Sequence, residues 1–186
     1  METTNNLKNG VNVEQLVGTI QAIKGDPEIA KFQFRAETDW INAGHSRTKI
    51  KSFYGAKTED TSRTDTYVLE SDEPTVLLGN NAAPNAVEAV LYALGSCLVV
   101  GFLYNASAQG IKINSLNLKI EGDIDLHGFL GLSDTIRPGY QNINVKYSVE
   151  SDASKEKLLE LCEYVQKTSP VMDIIRNPVT VSVEME

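Results

Sequence analysis

The sequence predicts an α+β fold with an antiparallel sheet, on three observations. Its elements run helix, strands, helix, strands, helix, strand rather than in strict alternation. One long apolar segment reads as a single helix, and the flanking segments alternate apolar and polar residues with the period of two of half-buried strands. At 186 residues the chain suits one domain with a core of its own and is somewhat short for two. Hydrophobic residues make up 41% and charged residues 23%, which excludes a disordered chain. The expected organisation is an N-terminal helical extension over residues 1–27 and an α+β domain over residues 28–186.

Val13, Leu16, Val17, Ile20 and Ile23 recur with helical spacing and predict a short amphipathic helix to Lys24, stopped by Gly25-Asp26-Pro27. From Ala30 to Tyr54 the pattern alternates: Phe32, Phe34 and Ala36 oppose Lys31, Gln33 and Arg35, and Thr48, Ile50 and Ser52 continue a second run. Two strands joined through Asn42-Ala43-Gly44 follow from this. Gly55 to Asp65 reads as a polar loop, Thr66 to Leu69 as a third strand, and Val76 to Leu78 as a short apolar run before Gly79-Asn80-Asn81.

Asn85-Ala86-Val87-Glu88 carries a helix N-cap with Glu at N3, a capping-box variant. The helix it opens runs to about Gln109, with Gly110 as its C-cap. Ile111 to Ile124 alternates, less cleanly at its start, and pairs with Ile143 to Val149. An apolar connection, Leu126 to Leu132, and the turn Arg137-Pro138-Gly139 lie between them. Asp152 or Ser154 caps a helix from Lys155 to Lys167 with Leu158, Leu159, Leu161, Cys162 and Val165 as its buried stripe. A break at Pro170, a helical turn to Ile175 and a last strand, Val179 to Glu184, complete the chain.

A formal net charge of −8 repels phosphate backbones, and no Lys/Arg cluster offsets it, so nucleic acid is not an expected partner. Ala89 to Tyr104 falls short of a membrane span and reads as a helix buried in protein. Met1 to Asn12 is polar and has no apolar signal region. Together with only two cysteines, this predicts a reducing cytoplasmic setting with free thiols.

Cys97 is the candidate functional residue. A cysteine in an apolar helix is most often inert core. Its surroundings, however, are small: Ala93 one turn before, Gly101 one turn after, and Gly95 and Ser96 beside it. An interior glycine costs a helix about 1 kcal/mol relative to alanine, so this pair calls for close approach of a second helix or a substrate. Glu88 precedes Cys97 by nine positions, about 13 Å along the axis and on the opposite face, so the two cannot touch within one helix. Capping alone would account for Glu88.

Ala83-Pro84-Asn85-Ala86-Val87-Glu88, Ala93-Leu94-Gly95-Ser96-Cys97, Gly110-Ile111, Gly122-Asp123 and Ser169-Pro170-Val171 with its closing strand resemble, in order and spacing, the OsmC/Ohr-like family of osmotically inducible and organic hydroperoxide resistance proteins. The resemblance covers about residues 30 to 186. It implies an OsmC-like fold, an antiparallel sheet packed on a long central helix, in an intertwined homodimer with active sites at the interface. It further implies thiol-dependent reduction of organic hydroperoxides, with Cys97 as the peroxidatic nucleophile and Glu88 as the active-site glutamate that pairs with an arginine. The family's arginine belongs to a segment that here reads Thr75-Val76-Leu77-Leu78. A thiolate in this mid-helix position needs a cation to offset burial, and Arg47 and Arg63, ahead of Arg35, are the candidates. Exposed, solubilising arginines are the plainer alternative.

The chain departs from the family pattern at the second thiol. Catalytic members hold a resolving cysteine immediately before Pro-Val, where this chain has Ser169, which cannot form a disulfide. Cys162 lies seven residues upstream, about 10 Å along a helix, beyond the roughly 7 Å that a disulfide tolerates between Cα atoms, and reads as core. The expectation is therefore a single peroxidatic cysteine served by an external thiol reductant; the alternative is a non-catalytic binding or redox-sensing protein. His45, His127 and the cysteines have no metal spacing, and neither metal nor cofactor is expected. Phe129-Leu130-Gly131-Leu132 suits a pocket wall, a dimer seal or plain core equally.

Overall fold

In the computed structural model, which describes residues 7–185, the chain opens on a small hairpin of β1 (Leu7–Lys8) and β2 (Val11–Asn12), followed by α1 (Val13–Gly25). Helix α1 forms as its periodicity predicts, yet none of its residues is buried. Two compact units divide the described residues, 14–90 in one and 7–13 with 91–185 in the other.

In the first unit, β3 (Glu37–Asn42), β4 (His45–Ile50), β5 (Phe53–Gly55), β6 (Thr58–Asp60) and β7 (Tyr67–Ser71) follow one another. Strands β3, β4 and β7 make an antiparallel sheet in that order, with Arg47 opposite Glu70. The turn at Ala43-Gly44 falls where expected. The strand expected from Ala30 does not: apart from a bridge between Gln33 and Tyr54, pairing begins only at Glu37. Phe32 and Phe34 stack on each other and against Phe53 instead, with ring centroids 5.5–6.2 Å apart. Side-chain stacking, not a ladder, produces the alternation there.

The expected polar loop after Tyr54 contains the β5–β6 hairpin. Its turn residues, Ala56 and Lys57, both have positive φ (49° and 67°), the type I′ geometry that matches strand twist. Ala-Lys is a poor signal for that turn, so composition concealed it. Thr75–Leu77 is a 3-10 turn.

Helix α2 (Ala86–Ala108) spans the predicted segment. Asn85 Oδ1 accepts from Glu88 N and Glu88 Oε2 accepts from Asn85 N, both at 2.9 Å, so the capping box closes reciprocally. At the other end Gly110 has φ +71°, Ile111 N donates to Ala106 O and Gly110 N to Ser107 O, which completes a Schellman motif. The helix is long and apolar enough to cross a membrane by length and composition alone.

In the second unit, β8 (Ile113–Asp123) and β9 (Asn142–Ser151) form one long antiparallel pair, with Leu116 opposite Val149, Leu118 opposite Tyr147 and Ile120 opposite Val145. A bulge between Ile113 and Ser115 shifts the phase of the inward residues, which is why the strand's alternation starts irregularly. The apolar connection holds a single helical turn, α3 (Leu126–Phe129), capped by Asp125. Ser154 caps α4 (Lys155–Thr168), and α5 (Pro170–Arg176) follows.

Leu94, Leu98, Phe102 and Ala106, spaced by four along α2, are buried with Leu161 and Val165 of α4 and Met172 of α5, and β8 and β9 pack against them. Each fully buried leucine contributes about 2 kcal/mol by area removed from water. The hairpin at the start of the chain clips onto the end of α2. Asn9 Nδ2 donates to Ser107 Oγ and Ile111 O, and Asn9 Oδ1 accepts from Ile113 N at 2.8 Å.

The closing strand expected over Val179–Glu184 is not formed. Residues 179–185 carry no secondary structure, and Val179, Val181 and Val183 are exposed. An alternating segment becomes a strand only when a neighbouring backbone supplies its hydrogen bonds.

Candidate thiol site

Ser169 ends α4 and begins α5, and the Ser-Pro junction explains why. Proline cannot continue the first helix but suits the first position of the next. Ser169 N donates to Val165 O at 2.9 Å, closing α4, while Ser169 Oγ accepts from Met172 N at 3.2 Å, opening α5. These two bonds fix the serine side chain, which is 5% exposed. Its hydroxyl donates to Cys97 Sγ at 3.1 Å. The residue in the place of a second thiol therefore points at the first.

Cys97 sits partly exposed on α2, at the edge of a cavity of about 390 Å³. Val100, Gly101, Val165, Ser169 and Pro170 are among its lining residues, all uncharged. A Cβ on Gly101 would come within 3.0 Å of Val165 Cγ1, so this glycine answers to the approach of α4, the second helix its presence called for. Gly95 faces β8, where a Cβ would lie 2.9 Å from Ile120 Cδ1.

Cys162, on α4, packs against the core, and burial pushes its thiol up from the ordinary cysteine range. Both cysteines are free. Tyr147 lies against Phe102, ring centroids 5.8 Å apart, and its buried hydroxyl has no hydrogen-bond partner among the described residues. Burial first, then the neighbouring Cys162 and Cys97 sulfurs, hold its phenol well above the usual tyrosine range. Nothing in the sequence marked this tyrosine beyond its place in an alternating strand. Ser169 carried a signal of its own in the Ser-Pro start of a helix, but only the fold reveals what its hydroxyl meets.

The predicted polar residues all have partners inside residues 14–90. Arg47 Nε donates to Glu70 Oε1 at 2.7 Å, and His45 Nε2 lies 2.8 Å from the other oxygen; together they hold the Glu70 carboxyl below its ordinary range. Arg63 donates to Lys51 O at 2.8 Å and lies 5.0 and 5.2 Å from the ring centroids of Phe53 and Tyr67. Arg35 forks onto Glu59, at 2.6 and 3.1 Å. Glu88 serves the capping box. No group of three or more His, Cys, Asp or Glu side chains suited to a metal occurs among the described residues.

Fold and site together define an α+β protein with antiparallel sheets and a helix-borne thiol facing a helix-capping serine. A family model described as OsmC-like protein matches residues 79–184, and the chain belongs to that family. Solved structures agree on the fold. An OsmC-like protein from Mycoplasma pneumoniae is 16% identical, with a TM-score of 0.57 over 78% of this chain and 89% of that one. An OsmC-like protein of unknown function from Vibrio cholerae is 12% identical, with a TM-score of 0.56 over 76% and 92%. An organic hydroperoxide resistance protein OsmC from Legionella pneumophila is 16% identical, with a TM-score of 0.51 over 77% and 89%. At such identities the likeness concerns fold alone. No curated protein matches the chain.

Proposed function

We propose that this protein reduces organic hydroperoxides with one cysteine and an external thiol. The observation that carries the reading is the position of Cys97, partly exposed at an uncharged cavity with a hydroxyl directed at its sulfur. The Cys97 thiolate attacks the outer peroxide oxygen; an S–O bond forms, the O–O bond breaks, and the alcohol leaves once protonated. Cys97 is thereby oxidised to a sulfenic acid. With Ser169 opposite the sulfur, no internal thiol follows, so a low-molecular-weight thiol condenses with the sulfenic acid and water leaves. A second thiol molecule then releases the disulfide and restores Cys97.

The reading retains Glu88, with Arg47 or Arg63, as polar neighbours of the thiol in a homodimer whose sites lie at the interface. Exposed apolar side chains on α2, among them Tyr92, Val100 and Tyr104, and the unpaired valines of the C-terminal segment support association with a second copy. A cytoplasmic location, where reducing thiols are abundant, suits this chemistry.

Ser169 also favours a second reading, a non-catalytic protein that binds a small molecule or senses oxidation through Cys97. Purified protein, cumene hydroperoxide and a panel of reductants separate the two, with Cys97→Ser as control. Turnover that requires Cys97 supports the reductase. Oxidation of Cys97 without turnover supports the sensor, and a Cys97 that never oxidises removes reductase and sensor alike and leaves only a binding role.

A further inference from the structure

A hydroxyl has one proton to donate, and at Ser169 its destination is defined. The oxygen already accepts the Met172 amide at 3.2 Å, and the serine is 95% buried, so water does not compete freely for the proton. The proton points to Cys97 Sγ, 3.1 Å away. A neutral thiol is a weak acceptor, whereas a thiolate accepts a charge-assisted hydrogen bond of roughly twice the strength. A donor already bonded through its own oxygen is also polarised, which strengthens what it gives.

Within the described residues of one chain, the cavity lining offers this bond no charged rival. The lining of the cavity is uncharged. Among the described residues, the titratable groups that share this buried neighbourhood are the Tyr147 phenol of β9, which lies close enough to feel both sulfurs, and the Cys162 thiol of α4, and burial shifts both upward, toward their neutral forms. We propose that Ser169 is a positioning residue for Cys97: its hydroxyl, held by the Met172 amide, stabilises the ionised sulfur over the neutral one and fixes its direction in the cavity. Replacing the second thiol with serine thus exchanges a resolving group for an activating one. The inference rests on Cys97 being the reacting sulfur of the proposed reductase, but its test needs neither peroxide nor reductant, so failure of turnover and failure of this bond are read separately.

The test is the rate of Cys97 alkylation by iodoacetamide against pH in the full chain, followed by mass spectrometry of the Cys97 peptide. With Ser169→Ala the profile moves to higher pH, the rate at pH 7 falls about 5- to 10-fold, and the high-pH plateau stays unchanged. Ser169→Thr, which keeps the hydroxyl, returns the profile toward the parent. Ser169→Gly, which suits a helix cap, replaces the alanine variant should that one fail to fold. An unchanged profile overturns the proposal. So does a change by one factor at every pH, which signals only a more open cavity, and so does a threonine variant that behaves like alanine.

Discussion

Gly101 faces Val165 so closely that a Cβ at this position would lie 3.0 Å from Val165 Cγ1. Val165 is fully buried and β-branched, so it has little room or rotamer freedom to withdraw. At Gly95 the nearest atom is instead the far end of Ile120, which can swing aside. Helix propensity favours alanine by about 1 kcal/mol at both sites, while overpacking costs about 1–3 kcal/mol where the neighbour cannot give. Gly101→Ala is expected to lower the melting temperature and Gly95→Ala to leave it unchanged or raise it. Thermal melts of the two variants in which Gly101→Ala is the more stable would refute this account.

The reciprocal bonds between Asn85 and Glu88 separate capping from chemistry. Asn85→Ala removes the acceptor for Glu88 N and should cost about 1 kcal/mol of stability. Glu88→Gln keeps an amide oxygen for Asn85 N and should cost less than about 1 kcal/mol. In the proposed reductase the same Glu88→Gln change lowers Cys97-dependent turnover about tenfold or more, because the carboxylate helps orient the reacting groups. Full turnover in that variant would confine Glu88 to the helix cap.

Asp72 is buried, and its carboxylate accepts from the backbone N–H groups of Glu73, Asn80 and Ala82 at 2.9–3.1 Å, which ties down the loop after β7. The Ala82 bond leads in holding its carboxyl below the ordinary aspartate range. A depressed folded value means that this stabilisation is complete above the unfolded range, near pH 4, and is lost as pH falls through the folded value. Melting temperature should therefore drop on acidification below about pH 4. Asp72→Asn should destabilise the protein at pH 7, because an amide N–H₂ then confronts N–H donors, and should flatten part of that acid dependence. A variant with the parent's melting temperature at pH 7 would show that the three bonds do not hold the loop.

The direction of the Ser169 side chain makes Ser169→Cys a direct geometric test. A sulfur in place of Oγ starts near 3 Å from Cys97 Sγ, and a disulfide closes at about 2.05 Å. Mild oxidation should join Cys97 to the introduced thiol, lowering the mass by two hydrogens and abolishing alkylation of Cys97. Cys97 that stays fully alkylatable after oxidation would refute the described geometry.

Local signals were legible without coordinates because their physics is local. The Asn85–Glu88 box, the Gly110 cap, the Ser154 cap and the Ser169-Pro170 break each involve groups within a few residues, and each falls where the sequence places it. The pairing of β8 with β9 was equally readable, since both strands alternate toward one face. Two segments with the same alternation misled for a reason that lies outside them. Phe32 to Ala36 stacks its rings on Phe53, and Val179 to Glu184 pairs with no strand among the described residues.

From the sequence alone came the α+β class, the long capped helix with Cys97 on it, and the absence of a second thiol before Pro170. Tertiary structure decided what those residues meet: Val165 against Gly101, the Asn9 clip on Ser107, partners for Arg47 and Arg63 among nearby strands, and the Ser169 hydroxyl on the Cys97 sulfur. Ser169 and Cys97 are 72 residues apart, and a contact across that separation leaves no periodicity in either segment. It exists only because the packing of α4 and α5 against α2 brings the two side chains together.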